Sequence, residues 1–91
     1  MEIKYTKHFL NKLEDIFSES DYILRYEKGN FKSGYCILKD NKIAVINKFY
    51  SLEGKINCII EIVREVELST ETLSEKNLSL LELITKKEPE S

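Results

Sequence analysis

Two short apolar runs, residues 35–38 and 43–46, flank a polar segment, and this pattern constrains the fold more than any other feature of the sequence. If Asp40-Asn41 forms a two-residue hairpin turn, both residues tolerate the positive φ that the turn requires, and the register follows, with Leu38 opposite Ile43. Successive residues of a strand point to opposite faces. One face then carries Cys36, Leu38, Ile43 and Val45, and the other carries Tyr35, Ile37, Ala44 and Ile46.

Both faces of the predicted hairpin are therefore apolar. A sheet in a small antiparallel domain commonly keeps one face in water, which gives alternating polar and apolar residues. We expect the second face to be covered, either by the last predicted helix or by the sheet of a second copy. The interaction surface predicted in this way comprises Tyr35, Ile37 and Ile46 on the sheet with Leu80, Leu81 and Ile84 on that helix.

Helical periodicity and capping residues place three helices around the hairpin. Apolar residues recur at spacings of three and four after a residue suited to the N-cap position. These helices are residues 7–18 after Thr6, residues 52–66 after Ser51, and residues 75–86 after Ser74. Residues 22–26 are rich in aromatic and branched side chains and predict a further strand. The sequence thus predicts an α+β fold with the order α-β-β-β-α-α, in which helices pack on a three-stranded antiparallel sheet.

Composition and charge restrict the classes of function. The 91 residues are 42% hydrophobic and 33% charged, which predicts one α+β domain over residues 1–86 and a short charged tail over 87–91. A net charge of -2 argues against nucleic acid as a partner. No apolar stretch approaches the roughly 20 residues that span a membrane, and the two cysteines form no CxxC pair, which favours a cytoplasmic protein without a membrane partner.

The sequence contains no recognisable set of catalytic or metal-binding residues. A zinc site needs three or four converging ligands, whereas the chain has one histidine, His8, and two separated cysteines. Residues 29–34 have the outer spacing of a phosphate-binding loop, but Tyr35-Cys36 replaces the Lys and the Ser or Thr that such a loop requires. We therefore predict no catalytic residue, no metal and no cofactor.

Two resemblances to known families are present. The following segments resemble those of a small family of uncharacterised bacterial proteins of the Bacteroidetes type, over about residues 10–66: Arg25-Tyr26-Glu27-Lys28-Gly29-Asn30-Phe31, Ser33-Gly34-Tyr35-Cys36 and Val45-Ile46-Asn47-Lys48-Phe49. The strand ending at Asn47 and the helix with Asn57-Cys58-Ile59-Ile60-Glu61-Ile62-Val63-Arg64 resemble the strand-helix core of zincin-like peptidases of the ImmA/IrrE type.

The second resemblance implies a metal helix whose ligands are missing. In those peptidases the helix carries HExxH, in which two histidines hold zinc and the glutamate is the general base. Here Ile60 and Arg64 occupy the histidine positions and only Glu61 is retained. An isoleucine cannot ligate a metal, and an arginine brings positive charge to the place of a dication. Zinc-dependent hydrolysis is therefore not predicted.

Two functions are consistent with these observations. The first is a non-enzymatic protein-interaction or regulatory module that acts as a homo-oligomer, namely a dimer, or that binds another protein. The alternative is a small-ligand binder or degenerate peptidase-like enzyme with a cleft near Glu61, Arg64 and Tyr26. A concave pocket in which these three side chains converge would favour the alternative, whereas a flat or self-complementary apolar surface would favour the first.

Overall fold

The chain forms its helices and strands in the predicted order. The computed structural model describes residues 4–29 and 34–85, so the predicted tail at 87–91 lies outside the described residues. Within the described part there are three helices and three strands. They are α1 (Lys7–Glu19), β1 (Ile23–Glu27), β2 (Tyr35–Leu38), β3 (Ile43–Asn47), α2 (Leu52–Glu65) and α3 (Glu75–Thr85).

The three predicted N-caps all satisfy a backbone donor at the start of a helix. The hydroxyl of Thr6 accepts a hydrogen bond from the N–H of Phe9 at 3.1 Å. Ser51 accepts from Gly54 at 3.1 Å, and Ser74 accepts from the third residue of α3 at 3.3 Å. Each contact satisfies one of the N–H groups that lack a partner within the helix. The sequence signals for the helix starts are therefore confirmed.

The register of the β2-β3 hairpin is confirmed, but its turn differs from the predicted one. Leu38 lies opposite Ile43, as counted from the sequence. The positive φ falls at Lys42, where it is 54°, and not at Asp40 or Asn41, so the two-residue turn is wrong. The loop has four residues and is closed by a hydrogen bond of 3.2 Å from the N–H of Lys42 to the carbonyl of Lys39. Four-residue loops are most often built around a type I turn, and this loop keeps the same strand pairing.

The prediction of a fully antiparallel sheet is wrong, because the sheet is mixed. The strand order is β1-β3-β2, and β1 runs parallel to β3 while β2 runs antiparallel to it. The connection from β1 to β2 covers residues 28–34, which is longer than the usual hairpin loop of about two to five residues. β1 and β2 therefore lie at opposite edges of the sheet, with β3 between them. Asn47 fastens both ends of this connection, donating from its backbone N–H to Gly34 at 2.8 Å and from its side chain to Gly29 at 3.0 Å.

The helices cover one face of the sheet only. On that face Ala44 and Ile46 have no exposed surface, and Tyr35 and Ile37 pack against the same core. α1 lies over β1 and α2 lies over β3, whereas α3 packs mainly against α1 and α2. Of the two covers predicted for the second apolar face, the last helix is therefore not the one, because α3 packs on the other helices. The other face is left open within the described residues.

Gly34 supports the β1-β2 crossing in a way that no other residue type can match, and this yields a prediction. Its φ is +84°, and a Cβ atom at this position would overlap the ring of Tyr50. We expect Gly34→Ala to lower the free energy of unfolding by about 1–3 kcal/mol, measured by urea denaturation, because an L residue is strained at this φ.

Gly54→Ala is the matched control, since its Cβ would lie 2.8 Å from the same Tyr50 ring but within the α2 helix. The helix gains about 0.5–1 kcal/mol from the Gly to Ala change, which offsets any displacement of the ring. Equal losses in the two variants would show that contact with Tyr50, and not backbone conformation, sets the cost.

Candidate functional site

The open face of the sheet presents a continuous apolar row across all three strands. We define the open face by the side chains that point away from the helices: Ile23, Arg25 and Glu27 of β1, Ile43, Val45 and Asn47 of β3, and Cys36 and Leu38 of β2. Ile23 and Leu38 both lie opposite Ile43, so these three side chains form one row. Ile23 is 57% exposed and Leu38 is 45% exposed. The row is therefore an apolar surface in contact with water.

The second row of the open face adds a central apolar pair and an ion pair at one edge. Val45 and Cys36 are half-buried, and Arg25 lies beside them on β1. Arg25 forms an ion pair of 2.7 Å with Glu27, and both side chains are about half exposed. Ion pairs in this setting contribute little stability, because water and salt screen them. Because Arg25 and Glu27 carry opposite charges, they leave the open face without net charge.

The interaction surface predicted from the sequence falls on the covered face. Ile46 has no exposed surface, Leu81 is 7% exposed and Ile84 is 2% exposed, so all three belong to the core. Tyr35, Ile37 and Leu80 pack partly buried against that core. The large apolar residue of α3 that does face water is Leu83, which is 50% exposed. The sequence analysis assigned the strand residues to the two faces of the sheet correctly. The helices, however, cover the face that was predicted to form the interaction surface.

The predicted cleft residues do not converge. Arg64 lies in a groove of about 470 Å³ between the end of α2 and α3. Tyr26 lies in a different groove of about 360 Å³ beside β1, where its hydroxyl donates to Glu14 Oε2 at 2.5 Å. Burial, with this hydrogen bond as the second cause, raises the pKa of Tyr26 well above its ordinary value. Glu61 is exposed on α2 and lines neither groove.

Arg64 has a structural partner at the end of α3. Its Nε donates a hydrogen bond of 3.0 Å to the carbonyl of Ile84. The last carbonyls of a helix have no partner within it, and a cation near them is favourable. Four residues earlier on α2, Ile60 is 4% exposed and packs in the core. The two positions that hold zinc in the resembled peptidases therefore serve packing and helix capping in this chain.

A polar cluster around the buried side chain of Asn77, which the sequence did not identify, fastens the start of α3. Asn77 is 2% exposed, and its Nδ2 donates to Asp15 Oδ2 at 2.9 Å and to Glu19 Oε1 at 2.8 Å. Glu19 Oε1 also accepts the backbone N–H of Ser74 at 2.9 Å. One signal in the sequence could have identified this cluster. Asn77 lies four residues before Leu81 and therefore on the same stripe of α3, so its polar side chain faces the core.

The remaining sequence candidates lie apart from these features. His8 is exposed in the first turn of α1, and residues 30–33 of the possible phosphate loop lie outside the described residues. Across residues 4–29 and 34–85, no three His, Cys, Asp or Glu side chains are grouped so that they could hold a metal ion. No helix in this part of the chain has the length and apolar character needed to cross a membrane.

Comparison with known proteins gives no relative for this chain. No protein-family model, curated protein or solved structure matches it. The two family resemblances therefore stay predictions.

The carboxylate of Glu19, which binds the segment before α3, makes the stability of the fold depend on pH. The pKa of Glu19 lies below its ordinary value, first because it accepts the backbone N–H of Ser74 and second because it accepts from Asn77. A carboxylate with a lowered pKa stabilises the fold above its unfolded pKa, about 4.3 for Glu, and this contribution is lost as the pH falls through the folded pKa.

We therefore expect Glu19→Gln to reduce the free energy of unfolding at neutral pH and to flatten its decline below about pH 5. Urea denaturation at a series of pH values measures both effects. Glu82→Gln changes an exposed carboxylate on α3 and serves as the control. An unchanged pH dependence in Glu19→Gln, equal to that of Glu82→Gln, would contradict the role assigned to Glu19.

Proposed function

We propose that this chain is a non-enzymatic protein-interaction module that self-associates as a homodimer through the open face. The observation that carries the proposal is the exposed row of Ile23, Ile43 and Leu38 on a sheet whose helices all lie on the other side. Contiguous exposed apolar surface on a small protein is typical of a contact site. Cytoplasmic action belongs to the same proposal, since two cysteines are too few for a disulfide-built scaffold of the secreted kind.

A second copy suits the open face because the face is complementary to itself. In a two-fold dimer the same patch lies on both sides of the interface, so a patch with strong net charge would repel itself. Arg25 and Glu27 neutralise each other at one edge, and Ile43 and Val45 lie on the central strand with neighbours on both sides. Two sheets packed with their strands about 30° apart would interdigitate these side chains.

The size of the open face sets the strength of the proposed dimer. Three strands spaced about 4.8 Å apart and about 17 Å long present roughly 250 Å² per chain. A standard interface buries about 800 Å² per partner. Two open faces together bury roughly 500 Å². At about 25 cal/mol per Å², the free energy gained by burying them is comparable to the cost of association, which is about 4–15 kcal/mol. We therefore expect a weak dimer whose population depends on concentration.

Sedimentation equilibrium over a series of concentrations tests this proposal. We expect the average mass of the wild-type chain to rise from monomer toward dimer with concentration. Leu38→Lys places a charge in the apolar row and should abolish the rise, because that ammonium would be buried without a partner in the dimer.

Leu83→Lys is the matched control, since Leu83 has similar exposure on α3, at 50% against 45% for Leu38. This variant should associate like the wild type. A wild-type chain that stays monomeric at every concentration would refute the proposal. Loss of association in Leu83→Lys but not in Leu38→Lys would show that the contact surface lies on α3 instead of the open face.

A further inference from the structure

β1 is an edge strand with a groove along its outer side. In the sheet order β1-β3-β2, β1 has a neighbouring strand on one side only. The groove of about 360 Å³ is lined on α1 by Glu14, Phe17 and Ser18, just before β1 by Tyr22, and on β1 by Ile23, Leu24 and Tyr26. Neither β3 nor α2 contributes to its lining. The groove therefore lies on the side of β1 that faces away from the rest of the sheet.

The pairing of β1 with β3 determines which backbone groups face this groove. Ile23 donates its N–H to the carbonyl of Lys42 at 2.8 Å, and the carbonyl of Glu27 accepts from Lys48 at 3.0 Å. Along a strand, alternate residues direct their backbone groups to the same side. The odd-numbered residues of β1 thus bond to β3, and Leu24 and Tyr26 direct their N–H and C=O groups outward.

These outward groups have no hydrogen-bond partner among residues 4–29 and 34–85. The contacts of Tyr26 in this part of the chain involve its side chain, through the hydroxyl to Glu14 and the ring to Lys55. Unpaired N–H and C=O groups along an edge strand are a template for a further strand. The side chains of the same two residues, Leu24 and Tyr26, line the groove, so backbone and side-chain recognition coincide there.

We propose that β1 takes up an extended segment of a partner protein as a fourth strand, with an apolar side chain in the groove and a basic side chain directed at Glu14. Addition of a strand to a sheet edge obtains its affinity from main-chain hydrogen bonds and its specificity from alternate side chains. Phe17 and Tyr22 are buried beneath the groove and supply its apolar floor.

Charge at the groove favours the basic side chain. Glu14 Oε2 already accepts the hydroxyl of Tyr26, and a carboxylate has further lone pairs available for an ammonium or guanidinium group. The groove also runs beside the last turn of α1, at Phe17 and Ser18, where the helix dipole is negative. A segment in which an apolar and a basic residue alternate with small polar ones matches this arrangement.

A second copy of β1 is a poorer occupant than a partner segment. On the face of the groove it would offer only Leu24 and Tyr26, so no basic side chain would reach Glu14. Two-fold pairing would also bring a second Glu14 to the same side of the sheet. Ile23 belongs to both the groove lining and the open face, but the backbone groups that would pair are those of Leu24 and Tyr26, so this inference does not depend on the proposed dimer.

An NMR titration of the ¹⁵N-labelled full chain tests the inference. The probes are the acetylated and amidated peptide Thr-Val-Thr-Lys-Thr and its reversed sequence, which covers the opposite strand direction. We expect the amide signals of Leu24 and Tyr26 to move downfield as they form hydrogen bonds, with smaller changes at Arg25. The peptide with Glu in place of Lys should bind ~10-fold more weakly, the size of one charge-assisted contact.

Variants of the chain separate this site from other surfaces. Glu14→Gln should remove the preference for the Lys peptide, while Glu61→Gln, on exposed α2 surface, should retain it. Leu38→Lys should bind the peptide like the wild type. N-methylation of the peptide at the amides facing β1 should abolish binding without any change to the protein.

Several results would overturn the inference. These are the absence of binding by either peptide, signal changes confined to the open face, and equal affinity for the Lys and Glu peptides. Protection of the Leu24 and Tyr26 amides from solvent exchange in the free chain at high concentration, but not at low concentration, would assign the edge to a second copy instead.

Discussion

The hairpin of β2 and β3 places apolar side chains on both faces of a sheet that is only three strands wide, and the remaining architecture depends on this constraint. Two helices side by side, each about 10 Å across, suffice to cover a face about 14 Å wide. α1 and α2 occupy that face and bury Ala44 and Ile46. α3 then packs against α1 and α2, and the row through Ile43 on the other face has no cover from the described residues.

The polar side chains that most resemble functional groups are used to fix α3 and the segment before it. Asn77 and Glu19 hold the start of α3, and Arg64 caps its last turn. Asp21 binds the backbone N–H of Ser69 at 2.9 Å and the ammonium of Lys42 at 2.9 Å, which links this segment to the hairpin loop. Because these donors and acceptors already bond to each other, they stabilise the fold. The surfaces that we propose for recognition are therefore the open face and the outer edge of β1.

Local signals in the sequence predicted more than non-local ones. The N-caps at Thr6, Ser51 and Ser74 and the register of the hairpin depend on neighbouring residues, and all are confirmed. The parallel pairing of β1 with β3 joins strands that are not consecutive in the chain, and alternation of apolar residues does not encode which strands become neighbours. The covered face was also beyond prediction, since both faces of the hairpin were equally apolar. Arg64 and Glu61 were grouped by their place on one helix, but Arg64 bonds to the end of α3 and Glu61 does not line the groove that contains Arg64.

One apolar face of the sheet is open in the single chain, and in the proposed dimer this face closes when two chains meet. Paramagnetic relaxation of isoleucine methyl signals by a soluble gadolinium chelate measures this directly. At low protein concentration the account predicts strong broadening of Ile23 and Ile43 and none of Ile46 or Ile59, which have no exposed surface. At high concentration Ile23 and Ile43 should become protected. Methyl signals of Ile43 that are shielded even at high dilution, or that stay fully exposed at every concentration, would contradict it.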